Sequence, residues 1–109
     1  MRTVDIHSDN ENLNTLEYKI KMEISLSKKT KDKLLCFIVG YGSKGGSHRI
    51  KNNTIDILEG LKSKRQIKDY ILGSDIDIFN EKYQKFIGKD IIPNELKNKN
   101  NPGIIIVSL

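Results

Sequence analysis

Asp5 and His7 stand two apart in Val4-Asp5-Ile6-His7, where apolar and polar residues alternate. On a strand that spacing puts both side chains on one face. A carboxylate near an imidazole fixes its tautomer and raises its basicity, making the histidine a usable general acid or base near neutral pH. A second cluster is the loop Gly40-Tyr41-Gly42-Ser43-Lys44-Gly45-Gly46-Ser47-His48-Arg49, followed by Lys51. Glycine-rich backbone leaving a strand towards a helix N-terminus exposes N–H groups and favours anions. Lys44, His48, Arg49 and Lys51 add positive charge, and phosphate is the natural ligand. Cleaving a phosphodiester by 2′-OH or water attack needs a base, for which Asp5 and His7 are the candidates. It also needs cations to stabilise charge on the phosphorane, which Lys44, Arg49 and the amides of Gly40 to Gly42 could supply. Tyr41 either stacks on one exposed base or packs down on the sheet.

Each feature has a plainer reading. Asp5 can simply anchor the following loop, His7 can be a satisfied strand-end histidine, and the lysines can serve solubility. Gly40-x-Gly42-x-x-Gly45 matches a dinucleotide-binding pattern literally. That motif, however, needs an acidic residue ending the next strand about 20 residues on, and the nearest candidate, Glu59, falls inside a helix. A P-loop fails because Gly46 occupies the required lysine position. His48 suits a solvated phosphate contact better than a metal ligand. Two histidines and scattered carboxylates form no recognisable metal cluster. A divalent cation (Mg or Mn) with Asp5 as a ligand is the one cofactor left open.

These residues need a frame. With 109 residues, two prolines and 37% hydrophobic residues, the chain fits one folded domain spanning residues 1–109. Three Phe, four Tyr and no Trp leave the core to Ile, Leu and Val, and make extensive base stacking on aromatic rings an unfavoured binding mode. No apolar run approaches the roughly 18 residues of a bilayer span, so no membrane association is expected. The first ten residues contain no apolar signal segment, which makes the cytoplasm the expected location. The single cysteine, Cys36, lies in an apolar run and reads as a small core residue.

The pattern predicts a strand over 3–7 and capping side chains at Ser8-Asp9-Asn10. A helix follows with Leu13, Leu16, Ile20 and Ile24 on one face. A polar break over 28–33 precedes a buried strand over 34–39. Asn52 and Asn53 then open a second helix carrying Ile55, Leu58 and Leu61. Strands are expected over 67–72 and 103–109. Between them, about 73–102 reads as an insertion holding a helix with Phe79, Tyr83, Phe86 and Ile87 on one face. Strands alternating with helices imply an α/β fold with parallel crossovers. The net charge of +5 is uneven: residues 28–68 carry eleven basic against three acidic side chains, a net of +8, and the rest carries −3. The lysines at 28–33 would add affinity if they faced the same side as the glycine loop.

Val4-Asp5-Ile6-His7 resembles the hydrophobic-Asp-hydrophobic-His strand signature of the Smr (small MutS-related) domain. Gly40-Tyr41-Gly42 is similar to that family's G-x-G loop, and Gly103-Ile104-Ile105-Ile106-Val107 to its closing glycine-led strand. The three stand in the family's order, over 1–72 and 103–109. Two positions depart from the pattern: Ser8 replaces the usual Gly, and Val39 replaces the His or Thr before G-x-G. The loss of a polar group at Val39 would remove one hydrogen bond to a phosphate or a catalytic water. The resemblance implies a two-layer α/β sandwich in the order β-α-β-α-β, inserted helix, β, similar to the C-terminal domain of translation initiation factor three. It also implies a stand-alone nucleic-acid-binding domain, for DNA or RNA, with an endonuclease that nicks DNA or cleaves RNA in some members.

The leading expectation is therefore an endonuclease with Asp5 and His7 catalytic. Gly40, Tyr41, Gly42, Lys44, His48, Arg49 and Lys51 would hold the nucleic acid. The alternatives are a non-catalytic RNA- or ribosome-binding module, favoured by Val39, and a protein-interaction adaptor built on the inserted helix.

Overall fold

Two runs of apolar residues, Leu34-Leu35-Cys36-Phe37-Ile38 and Ile104-Ile105-Ile106-Val107, have no polar side to turn to water, so both must lie inside a sheet covered on each face. The computed structural model, which describes residues 1–6, 12–40, 49–77, 79–87 and 101–109, places them side by side at the centre. The elements in chain order are β1 (Arg2–Asp5), α1 (Leu13–Lys29), β2 (Leu34–Ile38), α2 (Arg49–Ser63), β3 (Asp69–Leu72), a 3-10 turn at Gly73–Asp75, α3 (Glu81–Ile87) and β4 (Ile104–Ser108). The sheet order is β1-β2-β4-β3. The α/β class and the strand-helix order expected from the sequence are those observed.

β1 pairs with β2 in parallel, whereas β4 is antiparallel to both neighbours, β2 and β3. The parallel crossovers expected from alternation hold for the first three strands and not for the last. The reason lies at Gly73. The Asn101 N–H donates to the Gly73 carbonyl at 3.0 Å, so the excursion after β3 returns to the end of the sheet where it began. β4 then has only the reverse direction available.

α1 and α2 cover one face of the sheet. Leu16, Ile20 and Ile24 from α1 and Leu58 and Leu61 from α2 pack with Ile6, Leu35, Phe37, Val39, Ile105 and Val107. The other face carries a second cluster in which Leu34, Cys36, Ile71, Ile104 and Ile106 meet Ile76 and Tyr83. Tyr83 is buried, as its helical pattern predicts, but Phe79 precedes α3 and is 86% exposed. Its N–H donates to Asp77 Oδ1 at 2.9 Å in a turn, which takes it off the buried face.

α2 starts at Arg49, three residues before the expected Asn52. Ile50 already packs against the core, and the buried Thr54 bonds back to the Ile50 carbonyl at 2.7 Å, so the helical period begins earlier than the asparagines suggest. α1 is likewise capped by Asn12, whose Oδ1 accepts from the Thr15 N–H at 3.0 Å, and it runs on through Lys28 and Lys29.

Side-chain ties fix the edge strands. The Arg2 guanidinium donates to Glu23 Oε2 at 2.7 Å and to Ser27 Oγ at 2.9 Å, locking β1 beneath α1. The Tyr70 hydroxyl donates to Glu59 Oε2 at 2.5 Å, locking β3 beneath α2. Lys82 lies 4.4 Å from the centre of the Tyr70 ring. Both helices end in a turn of the same type. The Asp32 N–H donates to the Ser27 carbonyl and the Gln66 N–H to the Leu61 carbonyl, leaving Lys31 (φ 61) and Arg65 (φ 60) in the left-handed region.

Two glycines bracket the packing. Gly60 has open space where a Cβ would stand, whereas at Gly73 a Cβ would lie 1.8 Å from the Asn101 carbonyl oxygen. Gly60→Ala should therefore stabilise α2 by about 0.5–1 kcal/mol, raising Tm by about 4 °C. Gly73→Ala should cost about 3 kcal/mol or more, because backbone must move. Thermal melts of the two variants check both signs. Burial pushes the Cys36 thiol up to about 11 from its ordinary 9.0. Because the folded thiol keeps its proton longer, that contribution to stability is complete below pH 9 and is lost as pH rises through 11. Cys36 should accordingly resist a thiol reagent at neutral pH and react at the rate of unfolding.

Candidate nucleic-acid interface

The carboxyl ends of β1 and β2 and the N-termini of α1 and α2 all lie at one end of the molecule, because each strand runs into a connection that starts a helix on the same face. A helix N-terminus leaves its first four N–H groups without intrahelical partners and carries a partial positive charge. Neither α1 nor α2 has an acidic residue in its first turn. α2 instead opens with the exposed Arg49 and the half-buried Lys51. Two backbone dipoles and two cations of like sign are thus gathered where a glycine-rich segment leaves β2.

Gly40 makes that exit. Its φ is 79°, a conformation natural to glycine, and its N–H donates to the Gly103 carbonyl at 3.2 Å, beside the Val39 N–H at 2.8 Å. The expectation that this amide contacts a phosphate is therefore corrected: Gly40 turns the chain, and its donor is engaged within the fold. The same Gly103 carbonyl ties the exit to the start of β4, which explains why a glycine-led closing strand accompanies the glycine loop.

Asp5 is the last residue of β1 and is exposed, lying beside Ile38 in the register of the parallel pair. Val4 and Ile6 face the cluster beneath α1 and α2, so alternation sends the Asp5 side chain to the opposite face. Val39 faces that helix-covered cluster and is 5% exposed. Apolar Val39 thus extends the core, and a polar group there would not lie on the face that carries Asp5.

His7, Tyr41, Gly42, Lys44 and His48 lie outside the described residues. Of the expected site residues, Asp5, Gly40, Arg49 and Lys51 are placed, and all four belong to this end of the sheet. The lysines of 28–33 do not: they lie at the far end, beyond the amino end of β2. Among the described residues, no group of three His, Cys, Asp or Glu side chains gathers as a metal ion would require. Asp5 offers one carboxylate, and the chemistry below is derived without routing a step through a cation. Among the described helices none is long and apolar enough to cross a membrane.

A groove of about 250 Å³ runs between α1 and α2, lined by Leu13, Glu17, Lys21, Asp56, Gly60 and Lys64 among others. Its walls carry both signs of charge, and Glu17 already pairs with Lys21 at 3.0 Å.

No protein-family model and no curated protein matches the chain. Among solved structures, the chain is similar to the Smr domain of MutS2 from Thermus thermophilus. The match has a TM-score of 0.58 at 10% identity and covers 100% of this chain and 98% of that one. At that identity the likeness speaks for architecture, and it agrees with the motif order read from the sequence. The chain has the fold of an Smr domain.

Proposed function

We propose that this chain binds the phosphodiester backbone of a nucleic acid at the carboxyl end of its sheet and cleaves it there. The observation that carries the reading is the acid-free first turn of α2, with Arg49 and Lys51 on it, at the end of the sheet where Gly40 turns the chain out of β2 and β1 delivers Asp5. The Smr fold supports it, since the family resemblance implies nucleic-acid binding.

In this mechanism the phosphate is held by Lys44, Arg49 and Lys51 and by the N-terminal amides of α2. The attacking oxygen, from water or a neighbouring 2′-OH, gives its proton to His7 as its lone pair forms the new bond to phosphorus. Asp5 holds the imidazole in the receiving tautomer and stabilises the imidazolium. Negative charge that grows on the phosphorane oxygens meets the cations already in place. The P–O bond to the leaving oxygen then breaks, and that oxygen takes up a proton.

Replacing Lys44, Arg49 and Lys51 together by Ala should reduce the slope of log K against log salt by about 2–3 and lower affinity about tenfold or more. Fluorescence anisotropy on a labelled duplex across a salt series measures both, and an unchanged slope would exclude this loop from the interface. Cleavage is read on supercoiled plasmid and on structured RNA, each with and without EDTA. His7→Ala should abolish product while binding survives. Cleavage equal in the variant would remove His7 from the chemistry, and binding without cleavage by the native chain would reduce the reading to a binding module.

A further inference from the structure

The basic segment of the sequence does not form one patch; the fold splits it between the two ends of the sheet. Arg49 and Lys51 go to the carboxyl end, whereas the residues after α1 and after α2 go to the other. There, two separate turns are brought together. Lys28 Nζ donates to the Gln66 carbonyl across them, and the end of β4 with the residue after it is bonded on both sides, Leu109 N–H to the Lys33 carbonyl and Lys68 N–H to the Ser108 carbonyl. Lys33 and Lys68 thus flank β4, about 10 Å apart by the spacing of strands.

Lys29, Lys31, Lys33, Lys64, Arg65 and Lys68 are all exposed at this end. The nearby carboxylates are already engaged. Asp69 lies 3.1 Å from Lys62 Nζ, and Asp32 accepts from the Thr30 hydroxyl at 2.5 Å and lies 4.0 Å from the Met1 amino group. None of the six cations has an acidic partner among the described residues.

The backbone gives an independent sign. Lys31 and Arg65 occupy the corresponding left-handed position at the ends of α1 and α2, at φ 61° and 60°. That position is where glycine is ordinarily favoured. A cation at a helix C-terminus is explained by the helix dipole one turn earlier, as Lys28, Lys29 and Lys62 already do here. At both turns a cation occupies the left-handed slot itself, one turn beyond the lysines that already meet the dipole, which adds positive charge at the tip of each turn.

We infer that the amino end of the sheet is a second phosphodiester-binding face, formed by the twin turns at Lys31 and Arg65 and separate from the candidate site. It takes the nucleic-acid reading for the class of its ligand, but not for its location. The two faces stand at opposite ends of strands about 15 Å long, so the chain can hold two segments of a polyanion at once.

Lys31→Gly with Arg65→Gly removes two charges and relieves two left-handed side chains, so Tm should stay level or rise. The full chain is titrated with a DNA hairpin whose stem of about eight base pairs, roughly 27 Å, is shorter than the 36 Å length of the molecule. The native chain should bind two hairpins. The double variant should lower the salt slope by about two, and adding Lys33→Ala and Lys68→Ala should leave one hairpin bound. A control, Lys19→Ala with Lys21→Ala in the middle of α1, takes the same charge from elsewhere and should change neither. If the four-site variant binds as the native chain does, or if the control weakens binding equally, the second face does not exist. Binding to phosphatidylserine vesicles with none to the hairpin would likewise overturn it. Because the Lys44/Arg49/Lys51 variant is titrated alongside, the outcomes separate: loss in the four-site variant alone keeps this face and removes the loop, and the converse keeps the loop and removes this face.

Discussion

The antiparallel pairing of β2 with β4 is the constraint on which the rest depends. Ile38 pairs with Ile104 at one end and Leu34 with Ser108 at the other, and between them nearly every side chain is buried. Strands this apolar require cover on both faces. α1 and α2 provide it on one side; Ile76 and Tyr83 from the segment after β3 provide it on the other. The segment after β3 is thus structural, because without it Cys36, Ile71, Ile104 and Ile106 would face water.

That burial also decides where charge can go. Polar residues are displaced from both faces of the central strands to their ends, and direction then sorts them. Parallel β1, β2 and β3 send both helix N-termini to one end and both helix C-termini to the other. Cations at the first end stand beside N-terminal dipoles, which repel them, and this costs helix stability unless an anion is present. Cations at the second end stand beside C-terminal dipoles, which attract them. Arg49 and Lys51 are therefore placed against the local field of α2.

The central elements were legible in the sequence because their signals are redundant. The six apolar residues at 34–39 and the run after Gly103 admit few readings, and Leu16, Ile20 and Ile24 hold a helical period. Boundaries were less legible. Asn52 and Asn53 look like helix openers, yet the buried Thr54 and the inward Ile50 place the start at Arg49. Phe79 fits the period of α3 but is taken out of it by an Asp77 turn, a local hydrogen bond that hydrophobic spacing cannot register. The direction of β4 was not legible either, since it depends on the contact between Asn101 and Gly73. Of the expected site residues, the four that are described, Asp5, Gly40, Arg49 and Lys51, lie at one end of the sheet, but the sequence assigned the Gly40 amide to a ligand when Gly103 holds it. It also treated 28–68 as one basic region that the topology divides.

The central claim is that the carboxyl end of the sheet is where this chain meets nucleic acid. Amide chemical shifts followed by NMR, while a short duplex is added to the isotopically labelled chain, test it most directly. The account predicts progressive shifts at Asp5, at Gly40 and through the first turn of α2 at Arg49 to Lys51, with α3 and the cluster around Tyr83 unmoved. Shifts confined to the α1–α2 groove or to α3, or none at saturating duplex and low salt, would contradict it.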